Sequence, residues 1–220
     1  MDQFTLGGHW GLAILMIVLA SWFVFRALVP KSFKEWRNAG LLQAFIIALY
    51  AEMYGFPLTI YVLTSFLGFD IPWLHLKGHL WAALLGFGDI GAIVEMVIGL
   101  SFVALGLILV FKGWRQVYYA RKEERLVTSG LYHYMRHPQY TGIFLALFGQ
   151  LIHWPTFLTL LFFPIILLAY YYLARKEEAV LIQRFGSGYE QYRRRVPMFL
   201  PTFHDVKSMV MGYLRMDQSP

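Results

Sequence analysis

Residues 126–142 read LVTSGLYHYMRHPQYTG, a polar, basic, turn-forming stretch set between two strongly apolar segments. Ser129-Gly130 is a loop signal, and Pro138 suits the first turn of a following helix, where its missing N–H costs nothing. The chain therefore re-enters an apolar layer here. Unpaired N–H groups at that helix start would favour an anionic group, and Arg136 adds a permanent charge with a planar fork of donors. The same residues also suit a plain interfacial loop, with Arg136 on lipid headgroups and His137 and the tyrosines in an aromatic belt.

The surroundings decide the class. Of 220 residues, 58% are hydrophobic and only 15% charged, against about a quarter charged in a soluble domain. Apolar runs reach the roughly 20 residues a spanning helix needs. The expectation is an all-α, polytopic membrane protein, one integral domain over 1–220. It has about five transmembrane helices near 9–29, 41–68, 91–112, 138–154 and 155–174, and a cytoplasmic C-terminal extension. Every Lys and Arg except Lys77 then falls on one side. By the positive-inside rule the N-terminus is outside and the C-terminus cytoplasmic, in a bacterial inner membrane or endoplasmic reticulum. The net charge of +6 is thus a topology signal and not a nucleic-acid footprint. With no cysteine, thiolate metal sites and Cys nucleophiles are excluded, and the first apolar run lacks the flanks of a cleaved signal peptide.

Residues 1–112 read as N-terminal spans, scaffold with a possible acceptor pocket, and 113–203 as a second functional part. KSFKEWRN at 31–38 reads as a short interfacial turn. AEMYGFPLTIY then puts Glu52 and Pro57 inside a span, where a carboxylate must face protein or a wet cavity. Glu52 is either a wall of a substrate pocket or a packing carboxylate. His75 and His79 have zinc-ligand spacing, but an interfacial amphipathic segment is preferred because no further ligand set lies nearby. Gly142, Ala146 and Gly149 form one small-residue face, and the glycines at 91, 99 and 106 also suit close helix packing. His153-Trp154-Pro155 joins the last two spans as a tight hairpin.

The fifth span runs without a break into ARKEEAVLIQRFG, so its helix should continue into the cytoplasm and carry Glu177 and Glu178 to the side of Arg136 and His137. An acidic pair facing a basic helix start suits a zwitterionic ligand, whereas pairing with Arg175 and Lys176 would make it an ordinary solvated face.

LVTSGLYHYMRHPQYTG, KEEAVLIQRFG and YEQYRRRVPMFLP, in this order, resemble the isoprenylcysteine carboxyl methyltransferase family, part of a wider membrane group that includes phospholipid methyltransferases. The resemblance covers about 114–201. It implies S-adenosyl-L-methionine as cofactor, with contacts at Gln116, Leu126, Val127, Tyr132, His137, Pro138, Tyr140 and Glu177, beside Glu178. Glu124 stands where many relatives have His, and Leu173 aligns with an Arg that meets substrate in the eukaryotic enzymes. Glu52, Arg136 and Arg175 are the candidate catalytic residues. The expected reaction is methylation of a lipophilic or membrane-partitioned acceptor on oxygen, sulfur or nitrogen, with membrane lipids as surroundings and no nucleic-acid partner. One rival is an NADPH-dependent sterol-reductase-like oxidoreductase. Those enzymes usually read R-H-x-N-Y-x-G-D, where this chain has Pro138, Gln139 and Ile143. The other is a transporter or assembly factor using Glu52 and Glu95.

Overall fold

The computed structural model describes residues 9–28, 33–51, 58–62, 66, 68, 81, 82, 85–122, 124–202 and 205. Glu52, Tyr54, Pro57, His75 and His79 lie outside the described residues. The elements are helices α1 (Trp10–Leu28), α2 (Phe33–Tyr50), α3 (Leu58–Tyr61), α4 (Gly88–Lys122), a 3₁₀ turn (Gly130–His133), α5 (Pro138–His153), α6 (Phe157–Phe185) and α7 (Ser187–Arg195). Among the described residues there is no strand.

Among the described residues, two helices have the length and composition to cross a membrane: α4 over Gly88–Ala120, and α6 over its full 29 residues. Only 28% of the most apolar window of each is buried within the protein. A soluble core helix would be mostly buried, so the remaining side chains need hydrocarbon around them. Shorter apolar segments lie at Trp10–Trp22 and Gly40–Tyr50.

Helix ends differ from the sequence reading in three places. Residues 33–38 are the start of α2 and not a turn. Their charged residues are adequate helix formers, and neither Gly nor Pro interrupts them. The third span does not stop at Lys112; α4 continues ten residues further and carries Arg115 and Gln116 on helix instead of loop. It ends where Glu124 adopts φ 53°, a left-handed conformation that breaks the i→i−4 ladder. The extension of the last span is as expected, since α6 passes Arg175 and runs to Phe185.

The chain divides into two compact units, Met1–Leu105 with Leu145–Leu173, and Gly106–Phe144 with Ala174–Pro220. In the first, α1 packs on α2, and Gln43 Nε2 donates to Ser21 Oγ at 2.7 Å. Helices α4 and α5 approach backbone to backbone: a Cβ on Gly99 would lie 2.7 Å from the Gly149 carbonyl oxygen, and one on Gly149 2.5 Å from that of Gly99. Phe102 and Phe148 pack edge to face beside this crossing. Buried Glu95 accepts the backbone N–H of Ala82 at 3.0 Å, which gives that carboxylate a structural task. Helix α6 opens on a reciprocal cap: Thr159 N–H donates to Thr156 Oγ1 at 3.1 Å and Thr156 N–H to Thr159 Oγ1 at 3.0 Å.

In the second unit the small-residue face works the same way. A Cβ on Gly142 would lie 2.5 Å from the Gly106 carbonyl oxygen and 2.9 Å from two atoms of Val110. One on Gly113 would meet Gln139 and Pro138 at 3.0 and 3.2 Å. These glycines seat the first turn of α5 directly on α4, next to the polar residues described below.

Candidate functional site

All of the site lies in the second unit. Its frame is backbone. Gly130, at φ 64°, turns the chain into the 3₁₀ turn, where Leu131 N–H donates to Gln116 Oε1 at 3.3 Å. The buried Tyr132 offers its carbonyl to the Tyr192 hydroxyl at 2.6 Å. Burial pushes the Tyr192 hydroxyl above its ordinary pKa, so it stays protonated and able to donate. The next two amides are also held: Arg136 N–H donates to Pro197 O at 2.9 Å, and His137 N–H to Met198 O at 3.0 Å. Thr141 Oγ1 then donates to Phe199 O at 2.8 Å.

These bonds take up most of the amides that the sequence reading offered to an anion at the start of α5. The amides entering the helix point at carbonyls of the RVPMF segment. Pro138 has no N–H, and Tyr140 and Thr141 N–H return to His137 O. The sequence marked R-V-P-x-F-x-P as a motif without giving it a job. Its job is to satisfy that helix start and to lay Phe199 against His137 and Phe144.

Side chains complete the constellation. Arg136 Nε donates to Glu178 Oε1 at 2.7 Å, and one terminal nitrogen reaches the carbonyls of Arg193 at 2.8 Å and Val196 at 2.6 Å. The guanidinium thus caps the C-terminal end of α7 while holding a carboxylate of α6. His137 stands between both glutamates, Nε2 at 3.3 Å from Glu178 Oε1 and Nδ1 at 3.6 Å from Glu177 Oε2. Nε2 is within hydrogen-bond reach of a carboxylate, whereas Nδ1 is near one without bonding it. Tyr140 stacks on His137 with its ring nearly parallel, and its hydroxyl donates to Glu177 Oε1 at 2.7 Å.

The two glutamates divide the work. Glu178 is 2% exposed and Glu177 41%. Among the described residues Glu178 Oε2 is buried with no hydrogen-bond partner, an expensive arrangement that a further donor would relieve. Glu177 presents a carboxylate at the surface of the same cluster. An acidic pair, one member closed and one open, suits an ammonium or hydroxyl-bearing ligand. The solvated-face alternative is therefore excluded for Glu178, whose partners are Arg136 and His137 and not Arg175 or Lys176.

A cavity of about 330 Å³ opens in the same unit, lined by Arg115, Gln116, Tyr119, Arg125, Val127 and Ser129. Of the expected cofactor contacts, Gln116 and Val127 line this cavity, and Leu126 is half-buried beside Val127. Tyr132, His137, Pro138, Tyr140, Glu177 and Glu178 belong to the polar cluster or its buried support. Arg175 is exposed on α6. Sequence reading missed Thr141, Tyr192 and Phe199; the spacing of Tyr189 and Tyr192 ahead of R-V-P was the available signal.

Residues 92–183 match the model of the isoprenylcysteine carboxyl methyltransferase family. Over these residues the chain is similar to that family. It is 40% identical over 81 residues to a protein-S-isoprenylcysteine O-methyltransferase of Schizosaccharomyces pombe, covering 36% of this chain and 34% of that protein. It is 33% identical over 125 residues to a methanethiol S-methyltransferase of Crocosphaera subtropica, covering 50% and 48%. Against the human protein-S-isoprenylcysteine O-methyltransferase it is 30% identical over 162 residues, covering 68% and 52%. The chain thus spans between a third and about half of the length of these relatives. The family segment contains Gln116, the 126–142 stretch and both glutamates, and it favours neither the reductase nor the transporter alternative.

Proposed function

We propose that this chain is an S-adenosyl-L-methionine-dependent membrane methyltransferase whose acceptor is lipophilic or membrane-partitioned. The observation that carries the reading is the convergence of His137, Tyr140, Glu177 and Glu178 in a chain similar to this methyltransferase family. The fit to the cofactor rests on donor and acceptor chemistry. Glu177 offers an open carboxylate for an ammonium or ribose hydroxyls, and a donor would relieve Glu178 Oε2. Gln116, Leu126, Val127, Tyr132 and Pro138 complete the proposed contacts, and aromatic rings suit a sulfonium at about 0.5–2 kcal/mol each. When bound, this cofactor supplies a methyl group already activated for displacement.

The protein's part is then positioning and exclusion of water more than acid or base catalysis. Arg136 contributes by holding Glu178 in place. Glu52 and Arg175 are carried forward as candidates on the acceptor side. The relatives named above act on acceptors as different as a prenylated cysteine and methanethiol, so the shared segment fits the methyl donor better than any one acceptor. Methyl-labelled cofactor incubated with the protein and native membrane extract should give a labelled product in the organic phase. No labelled product above a no-enzyme control would count against the reading.

Glu177→Gln is expected to weaken cofactor binding more than tenfold, about 1.4 kcal/mol, with the melting temperature little changed because its carboxylate is open. Unchanged affinity in calorimetry would remove Glu177 from the site. Five spans, with the N-terminus outside and the C-terminus cytoplasmic, are the proposed topology. Reporters fused after Pro220 or placed within 114–125 should read cytoplasmic, and one near Lys77 external. An external C-terminus would invalidate both the span count and cofactor entry from the cytoplasm.

A further inference from the structure

Helix α7 and the RVPMF segment bond to the polar cluster as a series. The carbonyls of Arg193, Val196, Pro197, Met198 and Phe199 take donors from Arg136, His137 and Thr141. All of these bonds reach chain beyond the 3₁₀ turn. Tyr192, immediately before the series, reaches back to the turn itself, where its hydroxyl donates to the Tyr132 carbonyl at 2.6 Å. The Tyr192 ring is fixed edge to face against the buried Tyr189, with centroids 5.8 Å apart. Burial keeps its hydroxyl protonated above the ordinary tyrosine range, so it remains a donor.

The turn is a piece of chain that needs such a hold. A single 3₁₀ turn has little stability of its own, and irregular backbone flanks this one on both sides. Gln116 Oε1 takes the Leu131 N–H at 3.3 Å from the α4 side. The Tyr192 hydroxyl bonds the next residue's carbonyl from the α7 side. Tyr132 and His137 therefore keep their spacing through one continuous segment, Tyr132 O on Tyr192 and His137 N–H on Met198 O. Both are proposed contacts of the methyl donor. Their spacing sets how well one ligand can be met from two sides at once.

We propose that Tyr192 is a positioning residue for the methyl-donor site: its bond to the Tyr132 carbonyl fixes the 3₁₀ turn at the distance from His137 that the ligand requires. It acts through Tyr132 and not on the ligand directly, and the assignment rests on the cofactor reading above. Removing the hydroxyl leaves α7 docked, because the bonds to the carbonyls of residues 193–199 remain. What it releases is the turn, which then moves against the start of α5.

The test is Tyr192→Phe, which keeps the ring against Tyr189 and removes only the hydroxyl. Calorimetry of the detergent-purified variant with S-adenosylmethionine, at a temperature where it and the wild type are folded, should show binding weakened by about fivefold or more, the scale of one hydrogen bond. Amide hydrogen exchange should rise at residues 131–135 and stay as in the wild type at Arg136 and His137. Arg194→Gln, an exposed change on the same helix, should keep wild-type affinity. A purely structural tyrosine would lower the melting temperature with affinity unchanged, and that result overturns the proposal. Exchange that also rises over 136–141, or a Phe variant that no longer melts cooperatively, overturns it too, because the hydroxyl would then be holding α7 itself. Wild-type protein that binds no S-adenosylmethionine sinks the methyl-donor reading. Wild-type binding matched by the Phe variant sinks only this assignment.

Discussion

Arg136→Ala is expected to destabilise the protein by about 3–5 kcal/mol. Arg136 is 11% exposed and Glu178 2%, so removing the guanidinium strands a carboxylate away from water. His137 Nε2, at 3.3 Å, would be its only remaining partner among those described above. The carbonyls of Arg193 and Val196 lose their donor at the same time, which loosens the end of α7 and the segment covering His137. Adding Glu178→Gln should recover a large part of the loss, because the stranded charge is then gone. That non-additivity distinguishes a buried pair from a surface one. A loss below about 1 kcal/mol would place the pair among solvent-screened ion pairs. Reversible denaturation in detergent, followed by tryptophan fluorescence, measures it. Arg136→Lys should fall between, since it keeps the charge but not the fork that reaches carboxylate and carbonyls together.

Gly142→Val carries the next largest effect, about 3 kcal/mol. Its Cβ would stand 2.5 Å from the Gly106 carbonyl oxygen, and backbone cannot move aside as a side-chain tip can. Separation of α5 from α4 would displace Pro138, Tyr140 and Thr141, so cofactor affinity should fall with stability. Gly188→Ala is the control, because nothing lies within 4 Å of its added Cβ. It should be neutral or stabilise α7 by about 0.5–1 kcal/mol, as alanine does in an exposed helix. Equal melting temperatures for the two variants would show that the close crossing is not needed.

What the sequence made readable was whatever one element carries by itself. Apolar length gave α4 and α6, Pro138 gave the start of α5, and the unbroken run into ARKEEAVLIQRFG gave the continuation of α6. The glycine faces were readable for the same reason, since a missing side chain on a helix has few purposes. Bonds between distant segments were not. Nothing local in Arg136 announces that it will cap α7, 57 to 60 residues away, and nothing local in RVPMF announces that its carbonyls take the amides of Arg136 and His137. The anion site expected at the start of α5 loses most of its amides on that point, because a helix start counts as open only after the whole chain has been searched for acceptors. The interfacial turn failed differently over 33–38: charge was taken for loop, although charged residues extend helices well.

The most direct test of the cofactor reading is calorimetric titration of the detergent-purified, folded protein with S-adenosylmethionine and, separately, with NADPH. Expected is saturable binding of S-adenosylmethionine at one site per chain and no binding of NADPH. Saturable binding of NADPH, or no heat with S-adenosylmethionine from protein that still melts cooperatively, would contradict it.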